Sequence, residues 1–378
     1  MLLFLQRFYL LLGKVGLGLI VMLKTATLLI RQRILLWRAS RLFSKQQSTP
    51  VKTWSLPVQP FWQLSADVKN CNIIVESLSP VKNVQGDKME VHLHSSSTDA
   101  IGDYEIVCSS ELRKVNITNK IGKPGLVHVL LPVAFDLQLN LKNRGNLKVS
   151  NMEGDSFIFN VENGATTLYS VKGRNIEVNV NDGDITAEKI LQGNISLETK
   201  CGSIRTEKLQ GPAVRLKTFH GPIQAQDVYT EDFDSSSCNG STRIKSLHGR
   251  SNLITQNGSL VVGTMEGEMS CESCGVGDVD VHIMSTSRTD IKSNSGNVKL
   301  SVASDIEADV DIQGQVITGH ESLNLETSNQ ENLNGTTSLT GSINRGGPRI
   351  KVQSLKGAVH LQTMSWWRRT TMFKSLAD

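Results

Sequence analysis

Acidic residues are missing from the first 66 positions, aromatic side chains make up only 5% of the 378 residues, and the glycine-to-proline ratio is lopsided at 31 to 9. Each shortage excludes something. Few rings argue against a thick globular core and suit a narrow one, which bulky side chains would not fit. The apolar stretch FYLLLGKVGLGLIVMLKTATLLI near the start is broken by Lys14 and Lys24, leaving only VGLGLIVML uncharged between them. That is far short of the roughly 18 residues a spanning helix wants. Six cysteines, Cys71, Cys108, Cys201, Cys238, Cys271 and Cys274, include a single C-x-x-C pair. A structural zinc site wants four ligands in paired spacings, and Cys271 with Cys274 is half of one at best. The motif opens no helix in a thioredoxin-like context, so two nearby small core residues is the preferred reading over a redox pair.

What is present is a repeat. Stretches such as VENGATTLYSVKG, TKCGSIRTEKLQG and TQNGSLVVGTMEG place a glycine at Gly145, Gly164, Gly183, Gly202, Gly221, Gly240, Gly258, Gly277 and Gly296. The spacing is 19 residues throughout, except for one step of 18. A fixed period near 20 marks a solenoid, because no single repeat can bury its own apolar face. Two and four residues after each glycine the side chains are mostly apolar and alternate with polar ones, the period of a strand. Seven after it stand Met152, Val171, Ile190, Leu209, Val228, Leu247, Met265, Met284 and Ala303, which reads as a core corner. A second alternating strand follows, as in FIFNV, IEVNV, ISLET and VRLKT.

Two turns and two strands in 19 residues are too few for a βαβ unit, and no helical stripe is present. The expected fold is therefore all-β, a parallel β-helix with about 19 residues per coil. Each glycine is expected at a corner where a positive φ excludes other residues. The expected division is a leader over 1–43, a linker over 44–66 and a β-rich N-terminal cap over 67–142. A β-solenoid of nine coils follows over 143–305, then an irregular insertion and closing coil over 306–363 and a tail over 364–378. The polar span Glu321 to Gly341 is read as a loop or insertion, the coil GGPRIKVQSLKGAVHLQT as the last one, and Trp366 and Trp367 as its cover.

Glycine-cornered coils of the form N-G-x-I-x-V-x-x-Φ-x-G follow a β-rich segment ending in Leu131-Pro132 and are closed by a G-G-x-x-I-x-V coil. This pattern, over about residues 67 to 363, resembles the adhesin-type domain of unknown function found widely in bacterial proteins. A basic leader ahead of such a domain is similar to the arrangement in an animal member of that family. The resemblance implies a β-solenoid and brings no catalytic residues with it.

The leader carries nine Lys or Arg and no Asp or Glu, the first acid being Asp67. An acid-free segment rich in Arg and Leu reads as a mitochondrial transit peptide, with a signal anchor or secretory route as the alternative. Arg41-Leu42-Phe43-Ser44 resembles a matrix-peptidase cleavage site, with Arg41, Phe43 and Ser44 as its candidate residues. The remaining residues 67–378 hold 31 basic and 36 acidic side chains, net −5, so the basicity of the whole chain belongs to its leader. A mildly acidic rod argues against nucleic acid. Membrane contact is expected only if the leader is retained as an anchor.

Candidate chemistry is sparse. Asp182 and Asp184 flank Gly183, and paired carboxylates can perform glycosidase or lyase work, but aspartate is also an ordinary corner residue. His92 and His94 share a strand face without a third ligand in view. The calcium-binding G-G-x-G-x-D nonapeptide is absent. Sequons occur at Asn116, Asn194, Asn239, Asn257 and Asn334, three of them N-G-S or N-G-T and already explained as turns. The expectation is a non-catalytic scaffold for an unidentified protein partner, without cofactor or metal. The alternative is a β-helix enzyme or carbohydrate-binding protein acting on a polymer, secreted or membrane-anchored, which would need carboxylates and bases stacked across successive coils.

Overall fold

A computed structural model of the chain describes residues 49–78, 86–96, 98–323, 325–333 and 335–364. The leader with Arg41, Phe43 and Ser44, and the tail with Trp366 and Trp367, lie outside these residues.

The coils stack as parallel strands in near-perfect 19-residue register. Leu147–Asn163, Thr166–Asp182, Ile185–Cys201, Ile204–His220 and Ile223–Ser237 each pair along their length with the next. Thr242–Thr255, Leu260–Ser273 and Val279–Ser293 continue the stack, and Val298–Ala303 begins the ninth coil. The 18-residue step is absorbed without loss of register, since Thr242 still sits over Leu260. Alternate side chains point into one continuous core that runs from Val58 to Leu361. Its cross-section is thin, and where one coil inserts a ring, as at Phe233, the next supplies Ser251 at the same position.

Most corner glycines have a different cause from the one expected. Gly164, Gly183 and Gly221 have the expected positive φ, at 152–155°, but Gly145, Gly202, Gly240, Gly258, Gly277 and Gly296 do not. What forbids a side chain is the coil beneath. A Cβ built on Gly202 would run into the Gly183 carbonyl oxygen, one on Gly221 into that of Gly202, and the rest follow the same ladder. The left-handed residues are instead Asn151, Ser170 and Lys189, six positions after the glycines, at φ of 52–65°.

Two entries of the expected corner column are displaced. Val171 stacks on Leu191, which is fully buried, while Ile190 is only half-buried, because a bulge inserts one residue ahead of it. By the opposite shift, one residue fewer, Met265 stacks on the buried Ile283, and Met284 is left partly exposed.

At the N-terminal end the β-rich segment is part of the stack. Trp62–Lys69 pairs parallel with Phe135–Lys142, and Cys71–Ser77 pairs parallel with both Gly125–Leu131 and the first coil. Strands begin at Lys52, inside the span read as a linker, and Lys52–Pro57 closes one face by pairing antiparallel with Lys88–His94. Tyr104–Ser109 closes the other.

The C-terminal end departs from expectation more. The coil at 346–363 is an inner rung: Arg349–Ser354 lies between Val279–Ser293 and Ala308–Gly314, and Val359–Met364 lies between Val298–Ala303 and Ile317–Thr318. The chain steps outward first, then returns to fill the gap. The polar span read as a loop forms the antiparallel pair Leu325–Leu333 and Thr336–Ile343, which pairs onto Ala308–Gly314.

Candidate functional site

The long faces of the solenoid are columns of exposed side chains, one per coil, spaced about 4.8 Å apart along the axis. Several of those columns are self-satisfied. Lys172 pairs with Glu153 at 2.9 Å, Lys217 with Glu198 at 2.8 Å, Arg250 with Asp232 at 2.7 Å and Arg215 with Asp234 at 3.6 Å, each between residues in register on adjacent coils. Exposed pairs of this kind stabilise by at most about 1 kcal/mol each. Their second effect is to neutralise the face they lie on.

Asparagines do the same without charge. The Asn179 amide donates to Asn160 and that of Asn160 to Asn140, at 3.2 and 2.9 Å. Asn194 donates to Asn175 and Asn257 to Asn239. Three of the sequon asparagines, Asn194, Asn239 and Asn257, are thus members of inter-coil ladders. Asn116 lies in the strand Lys114–Asn119, and Asn334 is outside the described residues.

Asp182 and Asp184 do not converge on a shared site. Asp184 Oδ1 accepts the Ser203 N–H at 2.7 Å and Oδ2 lies 3.4 Å from Arg205, while Asp182 is exposed at the corner. The same bond recurs one position after other corner glycines. Asn146 accepts from Ala165, Asp278 from Asn297 and Asn297 from Ala358, at 2.8–3.1 Å. The side chain at this position reaches to the next coil and holds its backbone.

A second device went unnoticed in the sequence. Thr199, Thr218, Ser237, Thr255, Ser293 and Ser354 stand three residues before a corner glycine, Ser273 four before, and all seven are buried. Their hydroxyls donate to glycine carbonyls at 2.8–3.1 Å, as Thr199 does to Gly183 and Ser293 to Gly296. They satisfy acceptors at corners where the sheet ladder breaks. The signal was visible as a Ser/Thr column, but alternation alone groups it with the polar surface.

The cysteines are free. Cys271 faces the core, and burial pushes its thiol up to about 12, while Cys274 is exposed at the next corner. His92 lies opposite His128 across an antiparallel pair, with ring centroids 6.0 Å apart, and each imidazole has its own glutamate at 3.4 Å, Glu90 and Glu76. Burial is the main cause lowering the His92 pKa. Among the described residues no group of three His, Cys, Asp or Glu is placed to hold a metal ion.

Two grooves of about 500 Å³ cross the long faces. One is lined by Arg215, Asp232, Asp234, Arg250 and Glu268, and its arginines are held by its own aspartates. The other has one rim of Thr186, Arg205, Gln224 and Arg243 and an opposite rim of Glu188, Glu207, Gln226 and Lys245. Between the rims the inward residues are Ala187, Thr206 and Ala225, whereas Leu168 and Ile244 occupy this position on the flanking coils. Smaller core side chains let the sheet lie nearer the axis, which hollows the face.

Solved structures similar to the chain include an adhesin-like protein from Parabacteroides merdae, at 10% identity, covering 82% of this chain and 95% of that one with a TM-score of 0.38. Another is an adhesin-like protein from Bacteroides fragilis, at 11% identity, 83% and 96% coverage and a TM-score of 0.23. The family profile described as Toastrack DUF4097 matches twice, over residues 72–226 and 189–362, and the two matches together span the whole run of coils. A repeat matched twice by one family over most of its length leaves a plain conclusion: the chain belongs to the Toastrack DUF4097 family.

Proposed function

We propose that this Toastrack solenoid is a non-catalytic scaffold that presents a long face to a protein partner, and that it does so inside mitochondria. One observation carries the first part. Of the carboxylate pair singled out by sequence, Asp184 is engaged by the Ser203 N–H and Arg205, and Asn146, Asp278 and Asn297 make the same bond at the equivalent position of other coils. A residue that repeats as an inter-coil tie is doing the work of the fold. A rigid stack with regularly spaced side chains is suited to holding another chain in register.

The mitochondrial part is supported by the acid-free leader with nine basic residues and by the Arg41-Leu42-Phe43-Ser44 step at its end. The likeness to an animal family member rests on the coil domain standing behind such a basic leader. Proximity labelling from the full-length protein in cells tests both parts, with a reproducible set of mitochondrial neighbours expected. N-terminal sequencing of protein from purified mitochondria should begin at Ser44 or a few residues later. An intact Met1 in a carbonate-resistant membrane pellet would replace the soluble reading with an anchored one. Loss of cellular rescue by a normally folded Asp182→Asn/Asp184→Asn double variant would overturn the non-catalytic reading.

A further inference from the structure

We propose that the groove between the Arg205–Arg243 rim and the Glu188–Glu207 rim is the docking site, and that its occupant is an extended acidic segment of a protein partner. This rests on the scaffold reading and names its face.

Charge singles this groove out. Arg243 and Lys245 are exposed, on the same side of one strand, and have no ion-pair partner among the described residues. The groove that holds Arg215 and Arg250 is otherwise similar, yet both of its cations are neutralised by carboxylates of adjacent coils. The sequence explains the difference. The coils flanking Arg243 and Lys245 carry Gln224 and Gln226 on one side and Val261 and Gly263 on the other, where a self-neutralising face would carry Asp or Glu.

Geometry then restricts the ligand. The strands that floor the groove, Ile185–Cys201, Ile204–His220, Ile223–Ser237 and Thr242–Thr255, are each paired on both edges. No backbone edge is free for a partner to join as an extra strand, so recognition runs through side chains. Arg243 and Lys245 are two residues apart on a strand, about 7 Å, which is also the spacing of same-side residues in an extended peptide. Arg205 lies two coils from Arg243, about 10 Å along the axis. Arg205 is already held by Asp184, and its direction from Arg243 is along the axis rather than the strand, so the match is to two carboxylates at alternate positions of an extended chain laid along the strand. The glutamates set the position. Glu188 and Glu207, three and two coils from Lys245 on its own rim, repel negative charge and keep the acidic side chains at the coil that carries Arg243 and Lys245.

The test uses the full-length protein and a fluorescent decapeptide of alternating Glu and Ser, read by anisotropy at low salt. The wild type should bind it, with affinity falling as salt rises toward about 0.5 M, where screening shortens to a few ångströms. Arg243→Glu/Lys245→Glu should weaken binding at least tenfold. Lys292→Glu/Lys356→Glu, which changes the net charge equally at exposed positions elsewhere, should not. Circular dichroism and the unfolding midpoint confirm that both variants fold. The proposal is overturned if the wild type does not bind, if both double variants bind alike, or if the dependence on Arg243 and Lys245 appears with a heparin oligosaccharide or anionic vesicles and not with the peptide. Proximity labelling separates the two layers. Neighbours retained by the Arg243→Glu/Lys245→Glu protein would keep the scaffold and remove this groove, whereas no neighbours for the wild type would remove the scaffold while the peptide assay still decides the groove.

Discussion

Gly202→Ala adds one methyl group at the middle of the stack, where the corner model and the close-approach model give different answers. If glycine were needed for a left-handed φ, asparagine would serve nearly as well, since it tolerates that region. At Gly202 the φ is not positive, and the obstacle is the Gly183 carbonyl, which a Cβ would overlap. Relief requires the two coils to separate or shear at that corner. The groups held there are the Gly202 N–H on His220 O at 2.9 Å and the Gly183 N–H on Cys201 O at 2.8 Å. Overpacking costs about 1–3 kcal/mol, and two loosened hydrogen bonds add about 1 kcal/mol each. A loss of about 3–5 kcal/mol is therefore expected for alanine, and no less for asparagine. Two other glycines serve as controls. Gly102 has open space and no positive φ, so alanine there should change stability by less than about 0.5 kcal/mol. Gly335 has open space and φ of +79°, so alanine should cost about 1 kcal/mol and asparagine less. Urea unfolding of the five variants, read by midpoint at constant slope, checks the order. A Gly202→Asn protein as stable as Gly335→Asn would refute the close-approach argument.

Asp184→Ala should lose about 1–2 kcal/mol by leaving the Ser203 N–H without its acceptor, while Asp184→Asn should lose less, both read by the same unfolding assay. Asp103 is buried, which by itself raises its pKa, but the N–H groups of Ile121, Lys123, Gly122 and Lys120 outweigh burial and hold the carboxyl below its usual range. Its folded-state pKa being depressed, its contribution is present above the unfolded pKa and is lost as pH falls through the folded value. The acid limb of the stability profile should therefore flatten in Asp103→Asn; an unchanged limb would remove this carboxylate as its cause. Thiol alkylation followed by mass spectrometry should modify Cys201 in the native protein. Cys271 and Cys71, whose thiols burial pushes up to about 12 and about 11, should be spared until the chain is unfolded.

The period, the strand alternation and the position of the glycine corners were legible because a solenoid repeats its constraints nine times, so a column such as Gly164, Gly183 and Gly202 reports the same contact with the coil beneath over and over. The cause of the column was not legible. Positive φ and lack of room both select glycine, and only the distance to the coil below tells them apart. Bulges hid for a related reason. Ile190 and Leu191 are adjacent and equally apolar, and the choice of which one turns inward is made by pairing with Val171.

Where the repeat stops, so does the sequence's power to speak for the fold. The Arg349–Ser354 strand follows the 306–343 excursion in the chain and precedes it in space, because a strand between two others buries both of its edges and a strand added outside buries only one. Sequence order gives no hint of such a return. The groove was obscured in the same way. Ala187, Thr206 and Ala225 look like unremarkable inward positions, and Arg243 and Lys245 like ordinary surface cations. Only the stacking places the small residues beneath one face and shows that Gln224, Gln226, Val261 and Gly263, rather than carboxylates, surround the two charges. Of the three cations that line this groove, Arg205 is neutralised by Asp184, and Arg243 and Lys245 are the ones with charge left to offer a partner.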